Sequence, residues 1–295
     1  IYSAIKNKEK IRIYGDYDAD GVSSTSLMIV LMQQMQADFD YYIPNRLIEG
    51  YGLNRIAIEL ARKQDIKLII TVDTGISAVE EIAYASELGM DVIVTDHHEP
   101  PDSLPDAYVI INPKKPTCSY PFKQLAGVGV AFKLAEALLG RFPEELLEFV
   151  TIGTIADLMP LIDENRVFVR MGLERLRATS SLGMRALLGV SGIDQKELHA
   201  GHIGFSIAPR INASGRLDHA GIAVTCLTTN SEQEAEHIAF DLDRLNRERQ
   251  LIVELITTEA MEQAGRLLEH GQMEKVLVLA GEGWNVGVVG IVASK

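Results

Sequence analysis

Three carboxylates fall close together in Gly15-Asp16-Tyr17-Asp18-Ala19-Asp20-Gly21, directly after the apolar run Ile11-Arg12-Ile13-Tyr14. Held a few Å apart, such charges repel by several kcal/mol at intermediate dielectric. A divalent cation converts that repulsion into binding, and hard cations take oxygen ligands. A solvated acidic turn is the competing reading, since Asp and Gly are ordinary turn residues. Two more apolar runs end in similar chemistry: Leu68-Ile69-Ile70-Thr71 leads into Val72-Asp73-Thr74-Gly75, and Val92-Ile93-Val94 leads into Thr95-Asp96-His97-His98.

The elements between these tips indicate how they meet. Leu53, Ile56, Ala57 and Leu60, then Val79, Ile82 and Ala83, have helical spacing. Strand and helix patterns in alternation predict an α/β fold, a parallel sheet flanked by helices. Ligands of such sheets sit beyond the carboxyl ends of the strands. Asp18, Asp20, Asp73 and His97 are therefore expected to converge. Asp157 stands alone in the apolar run Ile152 to Pro160 and needs a partner if buried; a metal, an N-cap or an ion pair would each serve.

Further strands are expected over Asp38–Ile43, closed by Pro44, and Tyr108–Ile111, with loops over 45–52 and 100–121. Gly127-Val128-Gly129 opens a helix, as a phosphate cradle or, in the safer reading, for close packing. Glu144 to Arg177 reads as helical. Arg166, Arg170 and Arg177 recur on one face, taken as solvated surface. An amphipathic pattern from Ser231 to about Leu268 predicts one long helix connecting two lobes. A strand over Lys275–Ala280 and an apolar helix within 281–295 follow, the start of a second α/β domain expected to continue past Lys295.

Composition sets the outer limits. The 295 residues are 47% hydrophobic, enough for one large domain or two smaller ones. The net charge of -13 excludes a globally basic nucleic-acid binder, but not a local basic groove. No apolar run is long enough to cross a bilayer. Cys118 and Cys226 match no metal or redox spacing and read as reduced thiols of a cytoplasmic protein. The chain opens at Ile1 without an initiator Met, so the lack of a leader carries little weight.

Asp96-His97-His98, together with Gly15–Gly21, Val72–Gly75 and Gly153–Pro160, resembles the DHH phosphoesterase superfamily. Within it, Gly15–Gly21, Tyr42-Ile43-Pro44-Asn45-Arg46, Glu49-Gly50-Tyr51-Gly52-Leu53 and Ala208–Leu217 are similar to the RecJ exonuclease family, and Trp284–Ser294 resembles the start of a DHH-associated domain. The resemblance spans nearly the whole chain. It implies a DHH catalytic domain at 1–200, a connecting segment with the long helix at 201–270, and an incomplete DHH-associated domain at 271–295.

The implied activity is 5′→3′ hydrolysis of single-stranded DNA to 5′-mononucleotides, in DNA repair and recombination, at a site with two Mn²⁺ or Mg²⁺ ions. Asp18 and Asp73, aided by Asp16, would hold one ion; Asp20, Asp73, His97 and Asp157 the other, with Asp73 bridging. His98 would touch phosphate or leaving group, or only support a ligand. Arg46, Arg210 and Arg216, each placed in a Gly- or Pro-bearing loop, would bind substrate phosphates. Tyr51 or Phe205 could stack on bases, with core packing the default for Phe205. The sequence departs from family patterns at Tyr14 and Asn285, where relatives carry His. A single-strand-binding protein and a helicase are candidate partners left open. A phosphodiesterase for short oligonucleotides or cyclic dinucleotides, and a non-catalytic DNA-binding scaffold, are the alternatives.

Overall fold

The computed structural model describes residues 1–269 and 276–295. A short α1 (Tyr2–Asn7) leads into β1 (Lys10–Tyr14), α2 (Ala19–Gln34), β2 (Phe39–Tyr42), α3 (Arg55–Lys63), β3 (Ile66–Val72), α4 (Val79–Glu87), β4 (Asp91–Thr95) and β5 (Val109–Ile111). The five strands form one parallel sheet in the order β2-β1-β3-β4-β5. This bears out the parallel α/β expectation. The order reverses between β1 and β3, so the crevice beyond their carboxyl ends is the topological switch point where such sheets bind ligands.

Alternation along the strands separates two cores. Ile11, Ile13, Leu68, Ile70, Val72 and Ile93 face α2 and α5 (Gly127–Leu139) in the larger one. Tyr14, Ile69, Val92 and Val94 face α3 and α4 in the smaller one. Side chains of period two on a sheet covered by helices on both faces produce this division. Strand ends are level: Tyr14 pairs with Thr71, Val72 with Thr95, and Thr95 with Ile111.

The rest is helical: α6 (Leu147–Ala156), α7 (Asp163–Leu176), α8 (Leu182–Val190), the single turn α9 (Ala200–His202), a π-helical turn Ile203–Ile207, α10 (Ala208–Leu217), α11 (Gly221–Thr228), the 38-residue α12 (Glu232–Glu269) and α13 (Val289–Ala293). Three expectations change. The helical stretch 144–177 is broken at 157–162, because Asp157 caps α6, Leu158 takes φ 56° and Pro160 cannot continue a helix. Arg210 and Arg216 stand on α10, not in a loop; Pro209 falls in its first turn, where no N–H is lost. No strand forms over Val276–Ala280, which has no described neighbour to pair with, and Lys275 lies outside the described residues.

Candidate active site

Each acidic tip is fixed by local backbone chemistry. Asp18 is the N-cap of α2, its Oδ1 accepting from the N–H groups of Asp20 (2.9 Å) and Gly21 (3.0 Å). Asp20, one residue pair further on, is buried, and its carboxylate straddles the start of α5, accepting from Gly127 N–H at 2.7 Å and Val128 N–H at 2.9 Å. The glycine pair thus cradles an anion, but a side chain of this protein. Gly127 is also required for space: a Cβ there would lie 2.4 Å from Asp73 Oδ1. Asp73 follows β3 in the left-handed region, φ 59°, held by its N–H bond to the Thr95 carbonyl at 3.0 Å.

The tips converge as the strand order requires. His97 Nε2 lies 3.2 Å from Asp73 Oδ1, 3.5 Å from Asp157 Oδ2 and 3.9 Å from Asp20 Oδ2. Potential ligand atoms gather in three groups, Asp16–Asp18–Asp73, Asp20–His97–Asp157 and Asp73–His97–His98. Asp73 belongs to two of them and stands between the first acidic motif and the histidines. Four of these side chains, Asp16, Asp73, His97 and Asp157, each keep a buried polar atom with no hydrogen-bond partner.

Burial shapes the electrostatics. Desolvation, then Asp18, pushes the Asp16 carboxyl up to about 8. Desolvation followed by Asp18 raises Asp157 to about 6. Asp20 and Asp73 lie well above the usual carboxylate range, by burial and by neighbouring carboxylates. His97 is lowered to about 4 by burial and by His98, so it is neutral at pH 7 with a lone pair to offer. Buried oxygens without partners, carboxylates forced towards protonation and a neutral imidazole together fit a divalent cation.

The comparisons with known proteins follow this geometry. The family model described as "DHH family, N-terminal domain" matches residues 10–154. The crystal structure of exonuclease RecJ bound to manganese superposes with a TM-score of 0.88 at 35% identity, over 99% of this chain and 74% of that one. The chain belongs to the RecJ family of DHH proteins. Two curated RecJ relatives, both single-stranded-DNA-specific exonucleases, are similar over all of it: that of Bacillus subtilis at 54% identity and that of Salmonella typhimurium at 41%. The chain covers 37% of the first and 54% of the second, so it spans about half the length, or less, of these relatives.

The remaining RecJ-like motif residues sort by environment. Arg46 sits 5.0 Å over the Tyr17 ring, and Arg216 donates to the Gly287 carbonyl at 2.8 Å; neither has a carboxylate partner among the described residues. Arg216 is lowered by burial and by Arg46 and Arg249, so three guanidiniums lie within electrostatic reach of one another. Arg210 is held by Asp243, with Nε at 3.0 Å and Nη2 at 2.8 Å from Oδ1, and Nη1 donates to the Ser206 carbonyl. Part of its donor set is thereby committed to joining α10 to α12.

Tyr14 packs in the smaller core and donates to the Gly52 carbonyl at 2.9 Å. Asn285 Oδ1 accepts from Gly287 N–H. Tyr51 lies edge-on to both Tyr17 and His98 at the rim. Phe205 is 89% exposed, which overturns core packing.

Two contributors were missed in the sequence. Arg249 carries a buried Nε without a partner, and only its place on α12 brings it towards Arg216. Asp96, buried, accepts from the N–H groups of Ile76, His97 and His98 and from His98 Nδ1 at 2.7 Å. Its position beside the two histidines was the available signal.

Proposed function

We propose that the chain is the catalytic core of a divalent-metal-dependent exonuclease that hydrolyses single-stranded DNA in the 5′→3′ direction to 5′-mononucleotides. The observation that carries this is the sharing of Asp73 between the Asp16–Asp18 group and the His97 group. One bridging carboxylate between two clusters is what a pair of ions about 3.5–4 Å apart requires. Asp16, Asp18 and Asp73 would hold one ion, and Asp20, Asp73, His97 and Asp157 the other. Mn²⁺ suits an oxygen shell with one imidazole, and Mg²⁺ is the second candidate. Bound ions would supply Lewis-acid activation of water and charge neutralisation at phosphorus.

The protein's own side chains do the rest. Asp96 keeps its proton off: burial pushes its carboxyl up, but the His98 hydrogen bond and charge and the backbone N–H groups of Ile76 and His98 together lower it, and the His98 bond raises His98 in turn. An ionised Asp96 accepts only, so His98 Nδ1 carries a proton and Nε2 is left to meet a phosphoryl oxygen or the leaving group. Arg46 would offer its fork to substrate phosphates, with the donors that Arg216 does not use on the Gly287 carbonyl and the remaining N–H groups of Arg210. Tyr51 at the rim supplies an aromatic surface for a base.

The boundaries that accompany this reading are a catalytic domain at 1–200, the connecting segment at 201–270 and the beginning of a DHH-associated domain at 271–295. A cytoplasmic location goes with this reading. A helicase to open duplex and a single-strand-binding protein on the product strand are the partners such resection needs, in repair and recombination.

The test uses the full-length protein with Mn²⁺, on 5′-phosphorylated single strands, matched duplexes and dinucleotides. Release of mononucleotides from the long single strand is the expected result. Cleavage of dinucleotides alone would replace this reading with that of a small-substrate phosphodiesterase, and no Mn²⁺-stimulated cleavage at all with that of a scaffold.

A further inference from the structure

One face of α7 is not explained by the centre described above, yet it adjoins it. Arg166, Arg170 and Arg177 line a cleft of about 360 Å³ floored by Leu161, Val169 and Ala200. No described side chain pairs with Arg166; the partner of Arg170 is Glu174 at 3.7 Å, with both groups largely exposed. Such a pair contributes little. Arg177 uses Nε on the Leu198 carbonyl at 2.8 Å and keeps its other donors. In a chain of net charge -13, this is a local concentration of cation.

Two apolar side chains near the end of α6 are left in water. Leu158, directly after Asp157, is 87% exposed at φ 56°. Phe205, 89% exposed, stands on the π-helical turn Ile203–Ile207. That turn packs on the end of α6, since a Cβ on Gly204 would come 3.5 Å from Ile155 Cγ2. Single π turns recur at functional sites because they re-aim side chains. An exposed aromatic ring together with a row of arginines is how proteins hold single-stranded nucleic acid, with base on ring and phosphates on guanidiniums. From Arg166 to Arg177 the helix advances about 16 Å, a length that serves several nucleotides and not one.

We infer that the π turn and α7 form a second, strand-guiding subsite: Phe205 and Leu158 take a base next to the cut, and Arg166, Arg170 and Arg177 take the phosphates of the strand leading away. This rests on the proposed nuclease reading and adds to it the path of the uncut strand. The exposed ring of Phe205, on which a base can stack, selects a nucleic-acid strand over an acidic peptide as the occupant.

The experiment is carried out on the full-length protein with 5′-phosphorylated oligothymidylates, a dinucleotide and a dodecamer, in Mn²⁺. Arg166→Glu/Arg170→Glu is expected to raise the dodecamer KM about ten-fold or more with kcat kept. The salt dependence of dodecamer binding should flatten, its log–log slope falling by about 1.4 for two lost phosphate contacts. Phe205→Ala should raise the same KM about ten-fold, the loss of one stacked base. The dinucleotide, too short to reach α7, should show KM changes below two-fold for the arginine pair, while sharing the loss for Phe205→Ala. Equal changes for both lengths in the arginine variant, an unchanged KM in Phe205→Ala, or an unchanged salt slope overturns the subsite. If the parent cuts neither substrate, the nuclease reading has failed instead, and dodecamer binding by fluorescence anisotropy still decides the subsite by its salt slope. An acidic peptide bound through these arginines, with dodecamer binding unaltered by the substitutions, also overturns it.

Discussion

His98 donates from Nδ1 to Asp96 Oδ1 over 2.7 Å, while the same carboxylate gathers the backbone N–H groups of Ile76, His97 and His98. One buried side chain therefore sets both the loop and the protonation of the His98 imidazole. Asp96→Asn keeps the size and loses the charge. The His98 pKa should fall, so the cationic form persists only to lower pH, and the alkaline limb of the kcat profile should move to lower pH. A pH–rate profile with NMR titration of His98 checks this; an unmoved limb assigns the acid to another group. Asp96→Ala should also cost about 3 kcal/mol in stability, since it strands several buried N–H donors.

Asp73→Ala should abolish turnover, with a loss of 10³-fold or more taken as an order of magnitude for a bridging ligand. The fold should survive, because the carboxylate is itself a desolvated group whose removal relieves repulsion from Asp20, Asp18 and Asp16. Thermal melts and Mn²⁺ titration by calorimetry separate the two effects. Retained turnover would remove Asp73 from the bridging position.

The metal-free protein should lose stability as pH rises from about 6.5 to 8. Asp16, held to about 8, keeps a proton in the folded state across this interval that the unfolded chain has already released, and Asp157, held to about 6, adds its loss mainly below it. A folded acid with a raised pKa thus lowers stability across that interval. His97, near 4 when folded, acts the other way and only below about 6.5, where the unfolded imidazole binds a proton. Above that point Asp16 acts with His98, whose raised folded pKa contributes stability that is likewise lost as pH rises. Denaturant melts in EDTA across this range should show the decline, and Mn²⁺ should flatten it.

Arg46→Ala and Arg216→Ala should each weaken single-strand binding about ten-fold while leaving Mn²⁺ affinity unchanged, since both side chains lack carboxylate partners. Arg210→Ala should weaken DNA binding too, and in addition destabilise the fold by about 3 kcal/mol by leaving Asp243 buried with only Arg247 beside it. Paired filter-binding and calorimetric titrations distinguish the three.

Much of this arrangement could be read from the residues. Apolar runs ending in Asp or His fixed the sheet and the direction in which Asp18, Asp73 and His97 had to lie, because parallel strands present their carboxyl ends on one edge. What escaped depended on tertiary detail. The Gly127 N–H looked available to a phosphate until the fold brought Asp20 against it. Arg210 looked loop-borne because Pro209 and Gly215 read as breakers, whereas Pro209 opens a helix and Gly215 allows close approach to Tyr17, whose carbonyl would lie 2.3 Å from a Cβ. Phe205 looked like core because its apolar neighbours are; a change in helical pitch turned it outward.

The candidate ligand groups are spread from residue 16 to residue 157 and hang from three strand tips and a helix end, and Asp20 is oriented by amides of yet another helix. No contiguous stretch of polypeptide can assemble them. An unfinished chain therefore cannot bring these groups together, and any ion they hold waits on completed tertiary closure.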